Sequence, residues 1–270
     1  MRQLAAPELD QRFFDVFNNY NDVTSKGLFA PSGFEGAKEP NLYWLEALTH
    51  VSEEYGLRGR GWPVADRTRV SMFSVEGYDY AKAARALEHV SAKRPFLARY
   101  SSRRYVTEMF ETGRIRVAPA SSYDDPSFDV ARRGDELRVS NGRRPIMRAR
   151  SDYLVYCLSA TLKPRLFGDF AETDAVLVIH DIGEFFARLD KAAASLPFPW
   201  EGTVGAVKYF DPLRTDFANV VPGFWKHFRF AYQVEWRFTW FPHVSGGALK
   251  PVFLELGSLK DISETILLER

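Results

Sequence analysis

The chain has 270 residues and a formal net charge of +1, so its charge predicts no general attraction to nucleic acid or to a membrane surface. Apolar residues make up 46% of it, enough for one large domain or a domain with an appendage, and its single cysteine, Cys157, excludes a fold held by disulfide bonds. The lone cysteine, an N-terminus without an apolar leader and the absence of any apolar run of about 18–20 residues predict a cytoplasmic protein with no membrane partner.

Residues 1–92 are predicted to form a helical N-terminal region. An apolar stripe of helical spacing follows Asn41, a candidate N-cap, and a second stripe covers residues 78–90. Glycines and a proline within residues 56–66 predict a loop between them. No grouping of side chains in this region indicates a particular chemistry.

Residues 93–270 are predicted to form an α+β domain with a split, mixed or antiparallel β-sheet core. Ser101 and Ser102 are candidate caps for a helix that Gly113 should end, and Asp181 with Glu184 resembles a capping box for a second helix. No glycine-rich phosphate loop favours a Rossmann or P-loop fold. The predicted strands cover residues 96–100, 115–117, 152–158, 175–180, 204–210, 228–241 and 251–256.

Residues 229–240 alternate without a break between apolar and polar side chains. Since side chains of a strand repeat every two residues, the pattern predicts a half-buried strand with an aromatic face against a core. Gln233 and Glu235 fall together in the other phase, about 6.5–7 Å apart along such a strand. A solvated strand face, with Arg229 and Arg237 as surface partners, explains the same pattern without any function.

Three separated elements occur in an order that resembles the ADP-ribosyltransferase superfamily of the arginine–serine–glutamate type. They are Arg99 in a strand before a helix, Ser159-Ala160-Thr161 after a second strand, and Gln233-Val234-Glu235. With Asp124-Asp125-Pro126 and Cys157-Leu158-Ser159, they are also similar to a bacterial family of unknown function, DUF2971, over about residues 93–260. One departure is Ala160, which stands where the superfamily's serine motif usually has a hydroxyl.

The resemblance implies an NAD-dependent ADP-ribosyltransferase that modifies a nucleic acid or protein acceptor. It also implies a setting such as phage defence or a toxin–antitoxin pair, with an antitoxin or other partner protein. Glu235 would stabilise the oxocarbenium-like transition state of cleavage between nicotinamide and ribose, and Gln233 would hold the acceptor.

The remaining residues are assigned by the same resemblance to binding. The residues that would bind NAD are Arg99, Tyr100, Ser159 and Thr161. The loop from Asp211 to Gly223 precedes the last strand and would contact the acceptor, and the residues that end it or follow it, expected to bind the acceptor, are Phe224, Trp225 and His227.

Other interpretations of these residues stay open. Arg99 also fits a structural arginine, Ser159 a hydroxyl bonded to the backbone, and Cys157 a buried structural thiol. The arginine-rich residues 132–150 fit a solvated loop or a phosphate-binding patch. The histidines lack metal-ligand spacing, so no metal is predicted. The alternative function is a non-catalytic module that binds a nucleotide or a partner protein on the same scaffold.

Overall fold

The structure is a computed structural model that describes residues 4–26, 29–31, 42–63, 78–88, 90, 95–124, 152–170, 172–196, 200–211, 213, 223–243 and 249–269. The predicted N-cap Asn41, the turn at Asp125-Pro126, the arginine-rich residues 132–150 and most of residues 212–222 lie outside these ranges.

The described residues form six α-helices and twelve strands. The helices are α1 (Ala6–Tyr20), α2 (Leu42–Leu57), α3 (Tyr80–Glu88), α4 (Arg103–Thr112), α5 (Arg165–Asp169) and α6 (Ile182–Ala193). The strands are β1 (Asn21–Val23), β2 (Phe29–Pro31), β3 (Leu97–Ser101), β4 (Arg114–Pro119), β5 (Leu154–Ser159), β6 (Ala175–Ile179), β7 (Trp200–Ala206), β8 (Lys208–Phe210), β9 (Trp225–His227), β10 (Glu235–Pro242), β11 (Val252–Glu255) and β12 (Ser263–Leu267).

Eight strands form one antiparallel sheet, which confirms the predicted α+β class. Its order is β11-β4-β5-β3-β6-β12, and β10 pairs with both β5 and β7. In the described part of the chain, β1 and β2 form a separate antiparallel pair and β8 and β9 a short parallel one. The ADP-ribosyltransferase type of this core stays a prediction.

The sheet is split along one edge of β5. The other edge of β5 pairs with β10 over its whole length. Among the described residues, the split edge pairs with β4 at Leu154 and Val155 and with β3 at Ser159. β3 and β4 therefore diverge and leave a gap along residues 156–158 of β5.

At β6, buried side chains cover both faces of the sheet. All five residues of β6 are buried. Leu177 and Ile179 belong to a cluster that includes Phe185 of α6, whereas Val176 and Val178 belong to a cluster that includes Phe167 of α5. A strand buried on both faces has a continuous apolar sequence, as β6 does.

The predicted helix after Ser102 is confirmed as α4, although its cap differs from the prediction. Ser102 occupies the N-cap position without a side-chain hydrogen bond, and the Asp174 carboxylate accepts from the Arg103 amide at 2.5 Å instead. Gly113 ends the helix in the left-handed region with a φ of 71°. For α6, the Asp181 carboxylate accepts from the Glu184 amide at 2.9 Å, as predicted.

Gly113 also makes a close main-chain contact with the segment that links β11 to β12. A Cβ atom at position 113 would lie 1.8 Å from the carbonyl oxygen of Gly257. The Gly113 carbonyl accepts from the Leu256 amide at 3.0 Å. Only glycine fits here, because both the positive φ and the contact exclude a side chain.

The predicted strand over residues 228–241 is wrong in its first half. Phe228–Gln233 form a 3₁₀ helix, called the 3₁₀ segment below, Val234 takes a left-handed conformation, and β10 begins at Glu235. The 3₁₀ segment packs against the N-terminal helices, where Phe228 stacks on Trp44 with ring centroids 6.0 Å apart. The buried residues of the segment include Gln233 as well as Phe228, Phe230 and Tyr232, and alternation alone does not reveal its packing against helices.

Candidate functional site

A cavity of about 430 Å³ lies at the split in the sheet. Arg99 of β3, Ser159 of β5, Gln233 of the 3₁₀ segment and Glu235 of β10 all line it. The register explains why residues far apart in sequence converge here, because Ser159 pairs with Glu235 on one edge and with Ala98 on the other. The volume falls within the range of about 300–1,000 Å³ that is usual for small-molecule sites.

The described lining residues carry more positive than negative charge. Five basic side chains face three glutamates, a surplus of two positive charges. The basic residues are Arg99, Arg114, Arg116, Lys226 and Arg237, and the glutamates are Glu108, Glu172 and Glu235. This balance favours an anionic ligand.

Arg99 fills the gap in the sheet. One Nη1–H donates to the Cys157 carbonyl at 2.7 Å, and the guanidinium lies 5.1 Å from the centre of the Tyr156 ring. Arg99 has no ion pair with any carboxylate of the described residues. Burial alone would lower the pKa of Arg99. The nearby Tyr156, Tyr123 and Glu235 outweigh burial and hold this pKa above its ordinary value.

Glu235 lies in a buried cluster with two cations. Arg237 donates from Nε to Glu235 Oε1 at 2.9 Å and from Nη2 to Oε2 at 3.3 Å, and Lys226 donates from Nζ to Oε2 at 3.2 Å. Burial alone would raise the pKa of Glu235, but these two charges outweigh it, so the pKa of the carboxyl lies well below its usual range. Glu235 is therefore ionised at neutral pH. The alternative of a solvated strand face is wrong, because Glu235 is 7% exposed and Arg237 is 1% exposed.

Gln233 reaches the cluster by a route other than the predicted one. It ends the 3₁₀ segment instead of sharing a strand face with Glu235, and its Oε1 accepts from Lys226 Nζ at 3.0 Å. Between them Val234 has a φ of 42° and a ψ of 55°. A β-branched residue in the left-handed region is an outlier of a kind that clusters at functional sites.

Ser159 holds the junction between the 3₁₀ segment and β10. Its hydroxyl lies 2.6 Å from the Gln233 carbonyl and 3.0 Å from the Thr161 carbonyl, and it accepts from the Thr161 amide at 3.2 Å. These contacts with the main chain of Gln233 and Thr161 favour the interpretation of Ser159 as a hydroxyl bonded to the backbone. Thr161 is buried and is not among the described lining residues, whereas Tyr100 lines the cavity and its hydroxyl accepts from the Lys163 amide at 2.9 Å.

Cys157 is part of this site. Its side chain lines the cavity and is half-buried. The nearby Cys157 side chain adds to the influences that hold the pKa of Glu235 below its usual range. The interpretation of Cys157 as a buried structural thiol is therefore incomplete, since the group faces the same space as Arg99 and Glu235.

The residues predicted to bind an acceptor lie beside the cavity and are not among its described lining residues. Phe224 and Trp225 are half-buried, and the Phe224 carbonyl accepts from the Lys208 amide at 2.8 Å. His227 accepts at Nδ1 from the Arg229 amide at 3.2 Å. Burial, assisted by the Arg229 charge, lowers the pKa of His227 to about 3, so this ring is neutral at pH 7. Their role toward an acceptor stays a prediction.

Sequence reasoning missed Lys226 and treated Arg237 as a surface residue. Arg237 falls in the same phase as Glu235 on β10, and an i, i+2 pair of opposite charges on one strand face was a signal for a buried ion pair. Lys226 gave no such signal. Its position depends on the pairing of β9 with β8 and on the 3₁₀ segment.

Two features are absent from the described ranges. No three histidine, cysteine, aspartate or glutamate side chains there come together in a way that could hold a metal ion. Of the helices described, none has the length and apolar character needed to cross a membrane.

Comparisons with protein-family models, with curated proteins and with solved structures give no match for this chain. The resemblance given above therefore rests on the quoted residues alone.

Proposed function

We propose that the cavity binds NAD and that the chain transfers ADP-ribose from NAD to a nucleic acid or protein acceptor. The observation that supports this most is the convergence of Arg99, Gln233 and Glu235 on one cavity at the split in the sheet. The proposal accounts for a buried, ionised carboxylate and a cation without a described carboxylate partner in the same small space.

Arg99 suits the pyrophosphate of NAD. Its guanidinium lines the cavity and spends one described hydrogen bond on the Cys157 carbonyl, and an arginine carries five N–H donors in a planar fork. Such a fork binds phosphate oxygens through charge-assisted pairs. The surplus of positive charge among the described lining residues acts in the same direction.

Glu235 suits the cationic transition state. When the bond between ribose C1′ and the nicotinamide nitrogen breaks, its electron pair leaves with nicotinamide and positive charge develops on the ribose. An acceptor oxygen or nitrogen then bonds to C1′ and gives up its proton to the surroundings. A carboxylate fixed by Arg237 and Lys226 needs little reorganisation to face that charge.

One observation favours a second candidate, a non-catalytic module that binds an anionic nucleotide. Lys226 and Arg237 already compensate the Glu235 charge, which reduces the field it can direct at a ribose cation. On this account the cluster shapes a rigid anion site, and no bond in the nucleotide is broken.

The experiment compares nicotinamide release from NAD by the wild type, Glu235→Gln and the matched control Glu54→Gln. Glu54 and Glu235 are both 7% exposed and both pair with an arginine, but Glu54 lies on α2 and pairs with Arg58 at 2.8 Å. Glu235→Gln should lower the release rate by about 10²–10³-fold, the scale for one preorganised electrostatic group. Glu54→Gln should release nicotinamide at nearly the wild-type rate.

Three outcomes separate the candidates. An active wild type matched by Glu235→Gln would show that Glu235 is not catalytic. Calorimetric binding of NAD with no release of nicotinamide would support the non-catalytic module. A wild type that neither binds nor cleaves NAD would remove both.

The acceptor is identified in a separate assay with labelled NAD and cell extract, read by mass spectrometry. Gln233→Ala should lose transfer of label and keep slow hydrolysis of NAD, because the carboxylate of Glu235 remains. Equal loss of both reactions would contradict a role for Gln233 at the acceptor.

A further inference from the structure

The 3₁₀ segment is held by one buried side chain of the N-terminal helix α1. Asn19 is 3% exposed. Its Oδ1 accepts from the Tyr232 amide at 2.7 Å, and its Nδ2 donates to the carbonyls of Phe228 at 3.3 Å and Arg229 at 3.1 Å. One amide group thus binds the backbone at the start of the 3₁₀ segment and near its end.

The 3₁₀ segment leads directly into the charged cluster. Tyr232, whose amide Asn19 binds, precedes Gln233, and Val234 in its left-handed conformation connects Gln233 to Glu235. The next carbonyl, that of Gln233, accepts a hydrogen bond from Ser159 at 2.6 Å. Asn19 and Ser159 therefore bind adjacent residues of the same short piece of backbone.

An asparagine is the residue type that this position requires. The same amide must accept from one N–H and donate to carbonyls, including the Asp15 carbonyl of α1 at 2.7 Å. An aspartate of equal size keeps the acceptor, loses the donors and places negative charge against three carbonyl oxygens. A buried polar group that loses its partners destabilises the conformation that it held.

We propose that Asn19 is a positioning residue for Gln233 and Glu235, so that α1 is part of the architecture of the site. The proposal rests on the proposed function for its kinetic readout. It predicts a particular kinetic pattern, because Arg99 lies on β3 and makes no described contact with Asn19. Loss of Asn19 should lower kcat for nicotinamide release and leave KM for NAD nearly unchanged.

The test uses Asn19→Asp and Asn19→Ala, with Asn21→Ala as the matched control. Asn21 is also a buried amide next to α1, at 8% exposed, but its Nδ2 donates to the Phe17 carbonyl at 2.9 Å. Both Asn19 variants should lose at least about tenfold in kcat, since a misplacement of about 1 Å can cost 10²-fold. Asn21→Ala should keep the wild-type kcat.

A second readout needs no NAD chemistry. Cys157 is the single cysteine of the chain, lines the same cavity as Glu235 and pairs with Arg237 in the sheet, so its rate of alkylation by iodoacetamide reports on the cluster. Displacement of Glu235 in the Asn19 variants should change this rate several-fold, whereas Asn21→Ala should react like the wild type. Thermal unfolding is recorded for all three variants.

The outcomes separate this inference from the proposed function. If the wild type releases no nicotinamide, the proposed function fails, and the Cys157 alkylation rate still tests Asn19. Asn19 variants that fold and match Asn21→Ala in both readouts would overturn the positioning role. Complete unfolding of both Asn19 variants, while Asn21→Ala folds, would overturn it too, because Asn19 would then support the fold as a whole.

Discussion

The two walls of the cavity differ in how their charged groups are partnered. On one wall, from β3, Arg99 donates to a backbone carbonyl and has no ion pair with a described carboxylate. On the other, from β9 and β10, Lys226, Glu235 and Arg237 form a closed cluster of ion pairs in which Arg237 also donates to the Gly223 carbonyl at 2.8 Å. The first wall is called the Arg99 wall and the second the Glu235 wall.

This difference indicates a division of labour. A buried ion pair that is complete within the protein fixes geometry, since removing either partner leaves an uncompensated charge. A buried cation that retains donors toward a cavity is suited to compensation by a ligand. Mutation of Lys226 or Arg237, the two cations of the Glu235 wall, should therefore act mainly on stability, and mutation of Arg99 mainly on binding.

The largest expected effect tests the Glu235 wall. Arg237→Met should destabilise the protein by about 3–5 kcal/mol, because Glu235 loses its bidentate partner and the Gly223 carbonyl loses its donor. Urea unfolding followed by tryptophan fluorescence measures this. Arg99→Met is the control on the opposite wall and should cost about 0.5–1.5 kcal/mol for one hydrogen bond. Equal losses for the two variants would abolish the distinction between the walls.

An intermediate effect tests the Arg99 wall. Arg99→Ala should raise KM for NAD and weaken binding of ADP-ribose by about 10- to 100-fold, the equivalent of about 1.5–3 kcal/mol for hydrogen bonds to a charged group. Titration calorimetry with ADP-ribose gives the Kd. Arg99→Lys should recover part of the loss, because it restores the charge without the planar fork. Unchanged affinity in Arg99→Ala would leave this arginine with a structural role alone.

The smallest effect is a pH dependence that sharpens the comparison. The folded-state pKa of Glu235 lies below its ordinary value of 4.5, so its contribution to stability is present above pH 4.5 and is lost as pH falls toward the folded-state value. Glu235→Gln should therefore have a shallower loss of stability than the wild type between about pH 4.5 and pH 3. Urea unfolding at a series of pH values measures both curves.

Asp15 of α1 provides a control of opposite sign. Burial raises the pKa of Asp15 above its ordinary value, despite the opposing charge of Arg229, so its contribution favours the folded state at low pH and fades as pH rises. Asp15→Asn should steepen the acid loss that Glu235→Gln makes shallower. If stability fell with pH in the same way in both variants, the opposite directions assigned to the pKa shifts of Asp15 and Glu235 would be contradicted.

The sequence predicted those elements of the fold that are determined by neighbouring residues. Gly113 and Asp181 marked helix ends correctly, because a left-handed C-terminal residue and a capping carboxylate act within a few residues. α1 gave a weaker signal, since its buried face includes Arg12, Asp15 and Asn19, so its stripe is not apolar. The edge strand β12 was missed because its sequence, Ser-Glu-Thr-Ile-Leu, is short and half polar.

The sequence predicted which residues form the site better than it predicted the backbone that carries them. Arg99, Ser159, Gln233 and Glu235 were placed together by the resemblance, and the structure brings them to one cavity. The alternation in residues 229–240 predicted a continuous strand, because it records which side chains are apolar and not which helices pack on each side. The link between Asn19 and the 3₁₀ segment spans more than two hundred residues, and no local pattern encodes it.

The contact between Gly113 and Gly257 has a consequence for the size of the cavity. The linker that crosses from β11 to β12 joins the two parts of the sheet that diverge at the split, and it rests against the end of α4 with no side chain between the two backbones. The two parts of the sheet are thus joined at this point by direct contact of backbone with backbone. A methyl group at position 113 would force these two chains apart while leaving every charged group of the cavity in place.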